Sequence, residues 1–252
     1  MKKKHSGARK YFISAVILLL IAVVLATLLH NDGYNYRIKR VKLELMRTQL
    51  PEEVVALGRK NQDALDYALG WRKGRAKEYR AEEIDISDAV SAGSPTLLLQ
   101  WDPRWGYADY GTSVMGISGC GPTCLSMVTA ALCGNTEVNP LIVAQMADAR
   151  GWYVPGVGTA WTLMTDGAAQ LGLNAEQITT DRETILRTLD EGKLLIASMG
   201  PGDFTDAGHF IVISGYEDEG FHVLDPNSPT RSDMLWGYSK IHDQFAAIWA
   251  YS

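Results

Sequence analysis

Cysteine is scarce in this chain, with three residues among 252. Small secreted domains that depend on disulfides are far richer in cysteine, so a disulfide scaffold is excluded. Glycine and proline, at 24 and 9 residues, are too few for a collagen-like or low-complexity chain. The apolar fraction of 46% and the charged fraction of 21% are close to the globular average, which predicts a folded chain with a hydrophobic core.

Beyond residue 29 the acidic residues outnumber the basic ones. Residues 1–29 hold five of the 24 Lys and Arg residues and no acidic residue, which leaves 19 basic against 29 acidic residues downstream. Since phosphate contacts need clustered Lys and Arg, we expect no nucleic acid partner.

Glycine-rich phosphate loops and the Gly-x-Ser-x-Gly motif of serine hydrolases are absent as well. Both absences argue against a nucleotide-binding protein or a serine hydrolase of that type.

One long apolar run stands near the N-terminus. Residues 11–29 contain no charged side chain, and as a helix they would span ~28 Å of a hydrocarbon core that is ~30 Å thick. A cleaved signal peptide is the competing interpretation, but its apolar region normally covers about 7–15 residues and ends at a small-residue cleavage site. The sequence therefore predicts a transmembrane signal anchor at 11–29. The basic residues within 1–10 predict a cytoplasmic tail, with the rest of the chain outside the cell.

The remaining residues divide into a connector and a larger domain. Residues 31–96 have helical apolar spacing over 38–50 and 52–69, which predicts a helical connector, either a short stalk or an N-terminal layer on the main domain. Residues 97–252 are enough for one core, and helices come before strands in them, so we predict an α+β fold. The predicted helices are 121–133, 140–150, 159–171 and 181–192, and the predicted strands are 97–99, 194–199, 210–214, 221–224 and 246–251.

A reactive cysteine is indicated at Cys120, which lies between two glycines just before the helix predicted at 121–133. The N-terminus of a helix offers free N–H groups and a partial positive charge, and both favour a thiolate over a thiol. The same N–H groups can donate to an oxyanion. Taken alone, such a residue is more often a small buried cysteine at a tight turn.

Two further residues fit the same chemistry. His209 begins one predicted strand, Asp225 ends the next, and the residue midway between them lies in a predicted turn at 216–220. In such a hairpin the two side chains lie opposite each other, where the carboxylate would orient the imidazole and the imidazole would activate a thiol. The side-chain amide of Gln100 could donate a second hydrogen bond to an oxyanion, or the residue could equally be a surface glutamine.

Four motifs occur in an order typical of one enzyme family. They are QWDPRWGY at 100–107, GCGPTCLSMV at 119–128, GHFIVISGYED at 208–218 and VLDPNS at 223–228. Together they resemble the papain-like cysteine peptidases that process bacteriocin leaders ending in two glycines, and among these the stand-alone members that are not fused to a transporter. The resemblance implies a papain-like fold over 97–252.

The same resemblance implies a role for each site residue. It implies Cys120 as the nucleophile, His209 as the general acid and base, and Asp225 as the residue that orients the histidine. It implies Gln100 as the oxyanion donor, which requires the loop over 108–118 to fold back toward Cys120.

Other residues are assigned to substrate binding or to structure. Gly119 and Gly208 precede the thiol and the imidazole, and we predict that they contact substrate together with Trp161. Cys124 and Cys133 lie on the helix that follows Cys120, and all three thiols are expected to be free. Structural zinc sites usually show paired cysteines and a fourth ligand, so we expect no metal and no organic cofactor.

The sequence therefore predicts a membrane-anchored extracytoplasmic cysteine peptidase that acts through an acyl-enzyme. Its partners are a peptide or protein substrate and the membrane, through residues 11–29; no oligomeric state is predicted. An amidase or cell-wall peptide hydrolase would use the same Cys-His-Asp chemistry and would be favoured by activity on peptidoglycan stem peptides. A non-enzymatic surface binding module on a papain-like shell is the alternative from another class, although such a module has no need of all three residues.

Overall fold

The computed structural model describes residues 17–19, 21, 33, 35–90 and 95–252. The predicted cytoplasmic tail at 1–10 and most of the predicted anchor at 11–29 lie outside the described residues. None of the helices in the described ranges combines the length and the apolar character that a membrane crossing requires. The anchor therefore stays a prediction.

The N-terminal part of the described chain is helical. It consists of α1 (35–46), a 3₁₀ turn (Arg47–Gln49), α2 (Glu52–Lys60), α3 (Leu65–Arg75) and two further 3₁₀ turns (Ala81–Glu83 and Ser87–Ala89). The continuous helix predicted over 52–69 is wrong, because the chain turns between α2 and α3. At that turn the side-chain oxygen of Asn61 accepts a hydrogen bond from the Asp63 N–H (3.0 Å), and such a local bond competes with helix hydrogen bonding.

Helix α3 packs against the larger domain through aromatic side chains. The rings of Tyr67 and Tyr107 stack with centroids 4.4 Å apart, and the Tyr67 hydroxyl donates to the Gly106 carbonyl (3.0 Å). Gly74 makes room for this contact, since a Cβ there would lie 2.3 Å from the Tyr107 ring. Residues 35–90 therefore form a layer on the domain that follows.

The larger domain contains one long buried helix and several shorter ones. Helix α5 is buried from Gly121 to Ala130, and it ends at Gly134, whose φ of 63° suits glycine. Asp181 begins α8 by accepting a hydrogen bond from the Thr184 N–H (2.9 Å). The predicted helices 121–133, 140–150 and 181–192 are confirmed. The helices are α4 (Met115–Ser118), α5 (Cys120–Cys133), α6 (Pro140–Ala149), a π-helical turn (Leu163–Gly167) leading into α7 (Ala168–Gln170), α8 (Arg182–Asp190), α9 (Pro229–Ser232), α10 (Tyr238–Ile241) and a 3₁₀ turn (His242–Gln244).

Six strands form one antiparallel sheet in the order β5-β10-β6-β7-β8-β9. The sheet separates two clusters of buried side chains, because alternate residues of a strand face opposite sides. Ile196 packs in the cluster that contains α5, and Leu195 packs in the cluster that contains Ile185 of α8. The predicted α+β class is confirmed. The sheet strands are β5 (Ala175–Ile178), β6 (Leu194–Met199), β7 (His209–Glu217), β8 (Gly220–Leu224), β9 (Leu235–Trp236) and β10 (Phe245–Tyr251), and two small hairpins pair β1 (Asp109–Tyr110) with β2 (Ser113–Val114) and β3 (Tyr153–Val154) with β4 (Gly158–Thr159).

Two predicted elements differ from the structure. Residues 97–99 do not form a strand: the Leu98 N–H donates to the sulfur of Met127 (3.2 Å) instead of to a neighbouring strand. The helix predicted over 159–171 begins later, because Thr159 belongs to β4 and its hydroxyl hydrogen-bonds the Tyr110 hydroxyl (2.8 Å). In both places a tertiary contact outweighs the local apolar pattern.

Candidate active site

Helix α5 begins with Cys120, whose side chain is half-buried. The flanking glycines are required by packing, since a Cβ on Gly119 would lie 2.4 Å from the Met115 carbonyl oxygen and one on Gly121 would lie 2.9 Å from the Thr159 side chain. Gly119 itself is buried. The first turn of a helix leaves backbone N–H groups without helical partners, so the thiol lies beside free donors.

Strand β7 begins with His209, and Asp225 follows the last residue of β8. The imidazole Nε2 and the carboxylate Oδ1 are 2.8 Å apart, and both side chains are buried. The register differs from the predicted one because the hairpin turns at 218–219 and not at 217, so that Glu217 lies opposite Gly220 and Val212 lies opposite Leu224. The contact between His209 and Asp225 still forms, because Asp225 lies beyond the end of β8 and its position is not fixed by strand pairing.

The imidazole also lies beside the thiol. Burial alone lowers the pKa of His209, but the charge and hydrogen bond of Asp225, and then the nearby Cys120 side chain, raise that pKa well above its usual value. Because Nε2 is occupied by Asp225, Nδ1 is the ring nitrogen available to the thiol. The structure thus brings Cys120, His209 and Asp225 together in that order.

Arg231 is a further member of this site that sequence reasoning missed. Its Nε donates to the second carboxylate oxygen of Asp225 at 2.5 Å. Burial raises the pKa of Asp225, but the nearby His209 and Arg231 lower it more strongly, so the net pKa is below its usual value. A signal existed in the sequence: a buried carboxylate has two oxygens to satisfy, and Arg231 is a strong donor six residues further along the chain.

Gln100 lies at the site because the intervening loop folds back. Its side-chain Nε2 donates to the carbonyls of Gly116 (3.0 Å) and Ile117 (3.3 Å), just upstream of Cys120, and its backbone N–H donates to the Pro226 carbonyl (2.7 Å). Within the described ranges, the buried Oε1 has no hydrogen-bond partner. Both amide protons therefore point at backbone carbonyls, and the oxyanion role of Gln100 stays a prediction.

The remaining predicted binding residues lie on the exposed side. Trp161 keeps 47% of its surface exposed, and its Nε1 donates to the Ser198 hydroxyl (3.3 Å). Ser198 pairs with Phe210 in the sheet, so the indole lies near the end of β7 that carries His209. Gly208 is exposed, and a Cβ there would meet open space. These positions leave room for a chain segment beside the imidazole.

The other two cysteines differ from Cys120 in their surroundings. Cys124 is fully buried, and burial raises the pKa of its thiol well above the usual value. Cys133 is exposed at the far end of α5. All three thiols are free in the structure, so the chain carries its own internal controls for thiol reactivity.

A cysteine at a helix N-terminus, beside a buried His–Asp pair on an antiparallel sheet, defines the class of thiol-dependent hydrolase sites. Residues 97–252 match the Peptidase C39 like family. Because this match spans most of the chain, the protein belongs to that family.

Two solved structures are similar to this chain. One is the peptidase domain of Streptococcus ComA, a bi-functional ABC transporter involved in a quorum sensing pathway; it is 18% identical, covers 53% of this chain and 89% of its own, and has a TM-score of 0.42. The other is a C39-like peptidase from Bacillus anthracis; it is 16% identical, covers 67% of this chain and 96% of its own, and has a TM-score of 0.42. No curated protein matches this chain.

Proposed function

We propose that this protein is a membrane-anchored extracytoplasmic cysteine peptidase that hydrolyses peptide bonds through an acyl-enzyme. The observation that carries the proposal is the buried His209–Asp225 pair, whose link measures 2.8 Å, near Cys120 at the start of α5. Membership in a peptidase family agrees with this chemistry. The uncharged run at 11–29 and the basic residues before it support the anchoring and the orientation.

An ionised pair of Cys120 and His209 would be balanced by the other charges of the site. In the sequence of contacts, a Cys120 thiolate, a His209 imidazolium, the Asp225 carboxylate and the Arg231 guanidinium alternate in sign and sum to zero. Buried charges are tolerated when they are paired and hydrogen-bonded, and this alternation pairs every one of them. A nucleophilic thiolate can thus form without leaving an excess charge in the core.

The reaction follows from this geometry. The sulfur of Cys120 attacks the substrate carbonyl carbon, and the resulting oxyanion receives hydrogen bonds from N–H groups at the start of α5, with Gln100 as the proposed second donor. The C–N bond breaks as the imidazolium of His209 gives its proton to the leaving amine, which leaves a thioester on the sulfur. Water then attacks the thioester while His209 takes its proton, and the C–S bond breaks to release the acid and restore the thiolate beside the imidazolium.

The surroundings of the thiol favour an extended peptide as substrate. The open space at Gly208 and the half-exposed indole of Trp161 both lie at the sheet end that carries His209. We propose that peptide backbone lies across this face, with Trp161 beneath one side chain. A membrane tether would hold the site close to the surface where exported peptides emerge.

Selective reactivity of Cys120 tests the proposal. In the full-length chain at pH 6, we expect iodoacetamide to modify Cys120 about tenfold or more faster than Cys124 or Cys133, because Cys120 is the one of the three thiols that has an imidazole nearby in the part of the chain that the structure describes. Site-resolved mass spectrometry measures the three rates, and loss of peptide hydrolysis should follow the Cys120 modification. Equal rates at Cys120 and the exposed Cys133 would contradict the enzyme proposal and favour a binding module.

The scissile bond is tested with two substrate pools. A mixed fluorogenic library of unstructured peptides and a preparation of peptidoglycan stem peptides are offered to the same enzyme. Hydrolysis of the library supports the peptidase. Hydrolysis of the stem peptides alone would replace it with a cell-wall hydrolase that uses the same three residues.

The anchor has its own test. We expect the full-length chain to pellet with membranes and to require detergent for release, whereas a chain without residues 1–30 should stay in the soluble fraction. In intact protoplasts, added protease should digest the domain, because the orientation places it outside. A mature chain that begins near residue 31 would show that the apolar run is cleaved and would overturn the anchor.

A further inference from the structure

The turn between α2 and α3 lies against the loop that follows Asp225. We propose that Asp63, in this turn, is a positioning residue that holds the segment 225–231 in place and so keeps Asp225 against His209. This inference rests on the proposed function. It assigns part of the active-site support to the N-terminal layer, which lies outside the residues matched by the family.

The carboxylate of Asp63 makes three contacts with this segment. Its Oδ2 accepts hydrogen bonds from the Ser228 hydroxyl (2.9 Å) and the Thr230 N–H (3.4 Å), and its Oδ1 accepts one from the Thr230 hydroxyl (3.1 Å). Both carboxylate oxygens are thus used, and both bind the same short stretch of chain. Hydrogen bonds to a charged group are stronger than those between neutral groups.

Asn61 also connects this turn to the segment 225–231. The side-chain amide of Asn61 donates to the Asn227 carbonyl, while its oxygen accepts from the Asp63 N–H (3.0 Å). Asn61 is buried, so the contact is shielded from water. The same Asn227 carbonyl also accepts a hydrogen bond from the indole of Trp101 (3.1 Å), the residue that follows Gln100.

A short chain of hydrogen bonds connects Asp63 to the orienting carboxylate. The Ser228 hydroxyl that donates to Asp63 also accepts from the Arg231 N–H (3.2 Å), and the Arg231 Nε donates to Asp225 (2.5 Å). In addition, the Ser228 N–H donates to the Asp225 carbonyl (3.0 Å). Ser228 is therefore bonded on one side to Asp63 and on the other to the residues that place the Asp225 carboxylate.

Loss of the Asp63 contacts should affect catalysis through the position of Asp225. The Asp225 carboxylate is held by contacts from its own loop. Asp63 and Asn61 attach that loop to the N-terminal layer, in addition to the hydrogen bonds that it receives from Gln100 and Trp101. Without Asp63 the loop loses three hydrogen bonds on that side. A displacement of about 1 Å at a catalytic group can cost about a hundredfold in rate. If Asp225 is held less firmly, it should stabilise the charged form of His209 less, and the thiolate of Cys120 should then be less favoured.

The test compares full-length variants that differ only in this turn. We expect Asp63→Ala to lower the alkylation rate of Cys120 at pH 6 by about tenfold or more. The variant Asp63→Asn should fall between it and the unmodified protein, because it keeps one acceptor oxygen. The matched control is Asp66→Ala: Asp66 lies on the same layer, is mostly exposed, and pairs with Lys39 (2.7 Å) instead of with the catalytic segment. It should keep the rate within about twofold.

A charge-sensitive readout separates positioning from a general loss of structure. Iodoacetate is an anion and iodoacetamide is neutral, so an imidazolium beside Cys120 raises the ratio of their rates. Asp63→Ala should lower this ratio and shift its pH profile toward lower pH, while near-ultraviolet circular dichroism shows that the chain is folded. If Asp63→Ala does not fold, Thr230→Val removes one of the same hydrogen bonds at an exposed position and should lower the ratio less, in the same direction.

The outcomes distinguish this inference from the function on which it rests. If Cys120 of the unmodified chain shows no selective reactivity, both the inference and the proposed function fail. If that reactivity is present and the folded Asp63→Ala and Thr230→Val variants keep the rate, the ratio and its pH profile, the positioning role of Asp63 is wrong and the proposed function stands.

Discussion

Replacing His209 with alanine is expected to lower the rate of peptide hydrolysis by about 10⁴- to 10⁶-fold. The imidazole is the group beside Cys120 that can hold a proton for the leaving amine, and it is also the cation that stabilises the thiolate. Its removal should therefore also remove the fast alkylation of Cys120 at pH 6. Hydrolysis rates and site-resolved alkylation of the same preparation measure both effects.

A matched control for this substitution is present in the chain. His222→Ala removes an exposed imidazole that hydrogen-bonds Glu217 (3.0 Å) near the hairpin turn, outside the catalytic contacts. It should leave both hydrolysis and the reactivity of Cys120 unchanged. Retention of most activity by the folded His209→Ala protein would show that another group supplies the proton.

The raised pKa of His209 also sets the direction of the pH dependence. Below the ordinary value of 6.5 the imidazole is protonated in both the folded and the unfolded chain, and its stabilising contribution is fully present. That contribution is lost as the pH rises through the raised value in the folded protein. The iodoacetate to iodoacetamide ratio at Cys120 should therefore stay high through neutral pH and fall in the alkaline range.

Replacing Asp225 with alanine is expected to reduce both activity and stability. Activity should fall by about 10⁴-fold, because the imidazole loses its orienting partner and the counter-charge of its cation. Stability should fall by about 3–5 kcal/mol, because the substitution leaves the partly buried Arg231 without its carboxylate. Kinetics and urea unfolding at pH 7 measure the two losses separately.

A second substitution separates the two effects. In Asp225→Ala with Arg231→Leu, the unpaired guanidinium is gone, so much of the lost stability should return while the activity stays low. The milder Asp225→Asn variant keeps an acceptor for His209 but places an NH₂ group against the Arg231 Nε, donor against donor, or must rotate away from it. Recovery of activity in the double variant would contradict the orienting role of Asp225.

The helix that presents Cys120 could be predicted because its signals are local. An apolar stretch begins with Pro122 in its first turn and stops at Gly134, and these residues define the helix without distant contacts. His209 and Asp225 are also close in sequence, and a hairpin turn between them brings them together even though the predicted register was wrong. The two side chains still meet, because Asp225 lies past the end of its strand and its position does not depend on the exact register.

Other features of the site could not be read from local patterns. The apolar spacing over 52–69 continues without interruption, so it predicts one helix, yet the chain turns at Asn61, whose side chain bonds a loop 166 residues away. Arg231 lies near Asp225 in sequence, but only the turn at Ser228 directs its guanidinium toward the carboxylate. The loop that returns Gln100 to the start of α5 likewise depends on packing.

The amino-acid sequence by itself determined the chemistry of this protein: a cysteine before a helix, and a histidine and an aspartate on either side of one hairpin. These come from short stretches in which capping residues, turns and strand periodicity act over a few neighbours. The tertiary structure alone decided what surrounds them: Arg231 on the second carboxylate oxygen, and the N-terminal layer that reaches the same loop through Asp63. Those contacts join residues up to 167 positions apart, and they form only when the fold brings the distant segments together.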